Sequence, residues 1–262
     1  MELGLHGKSV FVAASSKGLG KATALAFARE GALLTIASRD LGQLEQARDD
    51  IRAATGHEAR MARLDVRSND DIREAITDAV AAQGGLDVLV TNAGGPPAGG
   101  FANMADADWQ AGFELNLLSV IRLIREALPA LRAAGGGRIV NLASTSVKQP
   151  IDGLILSNVF RAGVQALTKT LASELAPDGV LINTVAPGRI ATDRIFELDS
   201  KRATDLGVAL ADVQAQATSQ IPLGRLGDPD EFGRYALFYG SFANTYVTGQ
   251  TLLVDGGMVR SL

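Results

Sequence analysis

"VAASSKGLGKATA", residues 12–24, joins an apolar run to the first amphipathic segment of the chain. Gly18 and Gly20 let the backbone approach a pyrophosphate, and the helix that follows offers free N–H groups and the positive end of its dipole. A dinucleotide fingerprint asks for three glycines. Here the position four before Gly18 is Ala14, read as a place that needs no positive φ and tolerates a methyl group. The strand–turn–helix setting points to a nucleotide, with a plain tight turn as the alternative.

The same alternation continues outward from this turn. Apolar runs at 8–14, 32–38, 59–66, 86–92, 138–144, 180–186 and 251–255 predict strands. Most are near-continuous in Val, Ile and Leu, as expected of parallel strands covered on both faces. Helical patterns at 19–30, 41–54, 69–83, 106–133, 152–176 and 228–239 lie between them. A β–α–β–α order implies an α/β fold, a doubly wound parallel sheet of Rossmann type with about seven strands. One domain over residues 1–262 is expected, because "AGGPPAGG" (93–100) is too short to separate two. The excursion at 189–220 is expected to form a lid or substrate wall, or else a packing arm.

Composition narrows the function. With 25 basic and 29 acidic residues the chain carries a formal charge of −4, which argues against nucleic-acid and anionic-membrane partners. It has no cysteine, which excludes disulfide and thiolate chemistry and fits a reducing cytosol. "MELGLHGKSV" has an acid at residue 2 and no apolar core of a signal peptide, and no run is long enough for a membrane span. The two histidines, His6 and His57, are far apart, so no metal site is expected. A cytoplasmic location is the expectation.

A second stretch, "LILSNVFRAG" (154–163), places Ser157 and Arg161 four residues apart, on one face of a helix. Asn158, Arg161, Gln165 and Lys169 recur at three- and four-residue steps, the pattern of a solvated face. Taken alone, the stretch reads that way.

Several blocks together give the chain a resemblance over nearly its whole length. It resembles the short-chain dehydrogenase/reductase family, in a style similar to the 3-oxoacyl-acyl-carrier-protein reductases. The family's Thr-Gly-x-x-x-Gly-x-Gly turn is matched by Ala13, Ala14, Gly18 and Gly20, with its first two positions changed. Its Asn-Asn-Ala-Gly run is matched by Thr91, Asn92, Ala93 and Gly94, and its adenine-contacting acid after the third strand by Asp65. Asn116 in "FELNLLSV" matches its buried Asn. Pro187, Gly188 and Thr192 match its Pro-Gly-x-x-x-Thr run, whose Thr holds the nicotinamide carboxamide. "IPLGRLGDPDEF" (221–232) and "VTGQTLLVDGG" (247–257) resemble its C-terminal elements. The resemblance also implies cofactor contacts at Ser16, Leu19, Val66 and Ile190.

The second predicted strand ends "IASRD" and has Ser38 where an NAD enzyme of this kind carries an acid for the ribose 2′-hydroxyl. Arg39 can pair with a 2′-phosphate through charge-assisted bonds, and Lys17 can reach the same group. Asp40 competes for the acid's role. With Gln43, however, it reads as the N-cap of the next helix and its capping partner. NADP(H) is therefore the expected cofactor.

Ser144 in "NLASTS" matches the family's catalytic Ser. Thirteen residues further, where the family has the Tyr of Tyr-x-x-x-Lys, stands Ser157, and Arg161 occupies the Lys position. The resemblance thus makes 154–163 the catalytic helix, rewritten. Arg161 still offers hydrogen bonds to the nicotinamide ribose, but it stays protonated and cannot relay protons. Ser157 can orient a substrate oxygen and is a poor general acid. Lys148, on the intervening loop, is the nearest titratable candidate for a proton donor if partial burial tunes it; an exposed loop lysine is the alternative.

Two functions stay open. One is an NADP(H)-dependent oxidoreductase acting on a small-molecule carbonyl or alcohol substrate, with Ser144, Asn116, Ser157, Arg161 and Lys148 at its centre. The other is a nucleotide-binding module that has lost the chemistry. Retained Asn116, Ser144 and Thr192 favour the first; Ser157 favours the second. The resemblance also implies a homotetramer or homodimer, with helices 106–133 and 152–176 packing across a two-fold axis.

Overall fold

The computed structural model describes residues 1–261. Seven parallel strands appear where the apolar runs predict them: β1 (Ser9–Ala13), β2 (Leu33–Ser38), β3 (Arg60–Arg63), β4 (Val88–Thr91), β5 (Gly137–Leu142), β6 (Val180–Pro187) and β7 (Thr251–Val254). They hydrogen-bond in the order β3-β2-β1-β4-β5-β6-β7. Every neighbouring pair is parallel. The order reverses between β1 and β4, which opens a crevice at the carboxyl ends of those strands.

Alternate side chains of each strand feed two separate cores. From β1, Val10 and Val12 join Leu34, Ile36, Phe27 and Phe232 on one face. Phe11 and Ala13 join Leu89, Ile139, Leu123 and Ile182 on the other. Burying a side chain such as Val, Leu or Phe contributes about 1.5–3 kcal/mol, so two buried faces explain why the central strands are apolar without alternation. At the edge, β3 reads Arg-Met-Ala-Arg and exposes both arginines, which blunts it against further pairing.

One face is covered by α1 (Gly18–Arg29), α2 (Leu41–Thr55) and α9 (Pro229–Gly240), the other by α3 (Asn69–Gln83), α5 (Ser119–Ala133) and α6 (Ile155–Leu175). Short polar side chains start several of them. Asp40 accepts from the Gln43 N–H at 3.0 Å and caps α2, as its place in the sequence suggested. Ser68 caps α3, and Asp228 caps α9 in a reciprocal box with Glu231. The helix expected over 106–133 is interrupted. It divides into α4 (Asp106–Phe113), one wide π-type turn (Glu114–Leu118) and α5. The 189–220 excursion folds into α7 (Asp193–Leu206) and α8 (Leu210–Ser219). Its root is fixed by an ion pair between Arg189 and the buried Asp199. No helix among the described residues is long and apolar enough to cross a membrane.

Candidate functional site

The loops that leave β1, β4, β5 and β6 gather the predicted residues at one end of the sheet. After β1, Ala14 turns the chain with φ +47°, the only non-glycine residue at positive φ among the described residues. This corrects the expectation from the sequence: the position does demand a left-handed backbone. The cause is the sharp reversal into α1, held where the Ala14 carbonyl accepts a 3.0 Å bond from Asn92 Nδ2. Gly18 has φ +58°, and a Cβ on Gly20 would strike the Ala14 carbonyl and the Asn92 amide. The methyl-free surface of Gly20 therefore serves close packing inside the turn. Lys17 starts α1 without a side-chain cap, and the first turn carries no acid. Its free N–H groups and dipole suit an anion.

Thr192, at the start of α7, stands over this turn, its methyl 3.9 Å from where a Cβ of Gly18 would lie. A cleft of about 290 Å³ runs between the two helix starts, lined by Gly18, Lys21, Thr192 and Asp193. Lys17 Nζ lies 3.7 Å from Asp193, with both side chains largely exposed. At the far end of the turn the Ser38 hydroxyl donates to Ser16 Oγ at 3.1 Å. Arg39 is exposed beside it. The Arg67 guanidinium holds the Asp65 carboxyl below its usual range, with a smaller contribution from the charge of Arg39. Asp65 is therefore engaged by Arg67, at 2.7 Å, at the place expected to meet the adenine. Val66 is buried next to it.

Beyond β4, three successive residues are gripped from three directions. Asn92 binds Ala14, as above. The Ala93 carbonyl accepts from Arg161 Nη2 at 3.2 Å, and the Gly94 carbonyl accepts from Asn116 Nδ2 at 2.9 Å. Asn116 sits in the π-type turn, fully buried, and its Oδ1 has no hydrogen-bond partner among the described residues. An unsatisfied buried acceptor is costly unless a ligand or water meets it.

After β5, Ser144 starts a short 3₁₀ turn, and its Oγ accepts from the Ser146 N–H at 3.2 Å. Ser157 and Arg161 are both buried, so their face of α6 is not the solvated one that spacing alone suggested. Ser157 Oγ lies 3.5 Å from Ser146 Oγ. Arg161 is only 5% exposed; its Nη1 donates to the Leu142 carbonyl at 2.9 Å. Its guanidinium thus ties α6 to the ends of β4 and β5, with no carboxylate as counterion among the described residues. Burial alone pushes its pKa down to about 10, which leaves it charged at neutral pH. Lys148 is exposed, so the partial burial its proton-donor role required is missing. No tyrosine replaces the absent phenol. Tyr235 and Tyr239 lie on α9, over the opposite face of the sheet from α6, and Tyr246 is almost fully exposed.

Ser146 and Arg194 belong to this end of the sheet and were not read from the sequence. Ser146 is hidden in a run of polar residues, and only the 3₁₀ turn brings it to Ser157. Arg194, on α7, donates to the Pro96 carbonyl at 2.8 Å and lies where a Cβ of Gly95 would fall. Gly95 was its one available signal.

The family model described as enoyl-(acyl carrier protein) reductase matches residues 13–259. The chain is 34% identical over 257 residues to the 3-oxoacyl-[acyl-carrier-protein] reductase FabG of Thermotoga maritima, covering 97% of this chain and 99% of that one. Among solved structures, L-sorbose reductase from Gluconobacter frateurii, complexed with NADPH and L-sorbose, superposes with a TM-score of 0.94 at 30% identity and full coverage of both chains. An actinorhodin polyketide ketoreductase with NADPH does so at 0.92, with 31% identity and 96% and 97% of the two chains covered.

Proposed function

Because this chain belongs to the short-chain dehydrogenase/reductase family, we propose that it is an NADP(H)-dependent oxidoreductase acting on a carbonyl/alcohol pair, with Ser157 and Arg161 in place of the family's Tyr and Lys. The observation that carries this reading is the double grip on Ala93 and Gly94. Arg161 and Asn116 hold those successive carbonyls, and the loop of Ser144 lies beside the same segment through Leu142. A protein that only bound a nucleotide would have no need of an oxygen-orienting serine there.

The residues fit a dinucleotide. The amino end of α1 is uncapped and free of acidic residues, and Asn116 Oδ1 is an unmet acceptor among the described residues. Gly18, Leu19 and Gly20 would hold the pyrophosphate, and Ser16, Ser38, Arg39 and Lys17 the 2′-phosphate end. Asp65 and Val66 would flank the adenine. Pro187, Gly188, Ile190 and Thr192 would hold the nicotinamide. NADPH, when bound, supplies the hydride. Ser144 and Ser157 orient the substrate oxygen, and Arg161 holds the ribose. The proton comes from bound water, since Lys148 is an exposed loop lysine. The protein is proposed to act in the cytoplasm as a homodimer or homotetramer.

The second reading, a binding module without turnover, is favoured by one observation: no phenol is buried on the α6 side of the sheet among the described residues. Fluorescence titration and turnover separate the two. NADPH should bind more tightly than NADH, and Arg39→Ala should weaken NADPH by about tenfold or more while leaving NADH nearly unchanged. Equal weakening of both refutes the phosphate role of Arg39. Binding of NADPH without turnover of any carbonyl compound selects the module.

A further inference from the structure

Resting on the hydride-transfer reading above, we infer that the substrate carries a carboxylate and that Arg194, on the first turn of α7, is the residue that selects for it. The start of α7 faces two loops. Asp193 reaches Lys17 and Thr192 lies over Gly18, whereas Arg194 crosses to the loop after β4 and donates to the Pro96 carbonyl at 2.8 Å. That loop continues the segment whose Ala93 and Gly94 carbonyls are held by Arg161 and Asn116. The three steps from Ala93 to Pro96 span at most about 11 Å. The guanidinium of Arg194 therefore stands within one small molecule's length of the centre where hydride would move.

Two observations single this arginine out. The first is Gly95. A Cβ there would lie 2.9 Å from Nε and Nη2 of Arg194 and 3.1 Å from its Cζ, so any side chain would displace the guanidinium. Gly95 is not at positive φ, and the backbone itself does not ask for glycine. Its bare Cα is what lets the charge lie against the loop. The second is the partner set. Arg189, at the root of the same excursion, meets Asp199 through bonds of 2.7 and 2.6 Å, and Arg225 meets Glu231 through two of 2.8 Å. Arg194 has only Glu197 nearby among the described residues, 3.8 Å from Nη1, beyond hydrogen-bond range and 60% exposed. Its one hydrogen bond among the described residues goes to the neutral Pro96 carbonyl, which leaves most of the fork's donors open. A pin between α7 and the loop needs that single bond alone. The remaining planar, charged fork, 40% exposed, matches a carboxylate arriving with the substrate.

Binding and turnover test this separately. Calorimetry on the protein loaded with NADP⁺ compares acetoacetate, levulinate and their longer homologues, each with its own methyl ester. At least one acid should bind about tenfold more tightly than its ester. Arg194→Gln, whose amide can still donate to Pro96, should bring that acid down to the ester's affinity and leave the ester unchanged. Gly95→Ala, which displaces the guanidinium without removing it, should do the same, and Arg194→Lys should keep part of the preference. NADPH should bind the Gln variant within about twofold of the parent. With NADPH as reductant, the preference should appear in KM, with kcat nearly equal for acid and ester. Acids that bind no better than esters, or a preference that survives Arg194→Gln, overturn the inference. A loss of NADPH affinity of about tenfold, with the preference intact, assigns the fork to the cofactor's pyrophosphate and overturns it as well. A preference that Arg194→Gln abolishes, with no pair turned over, upholds the carboxylate site and removes the hydride-transfer reading alone.

Discussion

Ala14 is the residue at which the sequence reading and the backbone part most clearly. A methyl group at positive φ costs about 1–2 kcal/mol against glycine, while glycine returns part of that through the entropy of the unfolded chain. The turn tolerates the cost because Asn92 fixes the Ala14 carbonyl and Ser15 bonds β2 at once through its own N–H. Ala14→Gly should therefore stabilise the protein by about 0.5–1 kcal/mol, read as a raised urea midpoint with an unchanged slope, and Ala14→Val should lower it. A lower midpoint for the glycine variant would show that this geometry is free of strain. Ser157 and Arg161 illustrate the opposite limit of legibility. Their four-residue spacing is identical for a solvated face and for a buried site, and spacing cannot tell the two apart. What buries Arg161 are the carbonyls of Leu142 and Ala93, 19 and 68 residues away in the chain. Only the resemblance located the pair, and only the packing showed that the guanidinium is enclosed.

At the scale of elements, the sequence is most readable where a helix begins with its own local chemistry. "GDPDEF" (227–232) announces α9 through Asp228 at the cap, Pro229 in the first turn and Glu231 closing the box. The Arg225 guanidinium, with two 2.8 Å bonds, and the Asp228 N–H hold the Glu231 carboxyl down at about 2. A folded pKa below the unfolded one stabilises the fold above the ordinary glutamate range, and the benefit is lost as pH falls through about 2. Glu231→Gln should consequently be less stable than the parent at pH 5, and the two urea midpoints should converge toward pH 2. A gap independent of pH would assign the effect to packing. The π-type turn at Glu114–Leu118 was not readable in the same way. One extra residue in a turn leaves the apolar periodicity of 106–133 nearly intact, and its purpose, the seating of Asn116 against Gly94, depends on a loop far upstream. The strands were legible because burial on both faces writes itself into composition; the short β3 ends sooner than its pattern because the chain leaves the sheet after Leu64 bonds the Ser38 carbonyl.

For the whole molecule, the remaining question is what covers the outer side of the layer that carries the site. Leu115 and Leu117 on the π-type turn, Leu128 on α5, and Leu167 and Leu171 on α6 are only partly buried against the core, and Val159 on α6 is 45% exposed. Leu117 packs on the bare Cα of Gly163, so the π-type turn and α6 press closely together. Partly exposed leucines of this kind on neighbouring helices are the material of a two-fold interface, in which each leucine meets its counterpart's surroundings on the second copy. The net charge of −4 is too small for repulsion between copies to oppose such contact strongly. Light scattering at micromolar concentration should therefore return twice or four times the 27.3 kDa chain. Leu167→Glu with Leu171→Glu should reduce that mass toward a single chain while the far-ultraviolet dichroism stays unchanged, because both side chains lie outside the fully buried set. Because α6 also carries Ser157 and Arg161, the variant that dissociates should bind NADPH more weakly, through looser anchoring of that helix. A parent protein that scatters as a monomer would refute the interface, and a dissociated variant with full affinity for NADPH would separate assembly from the site.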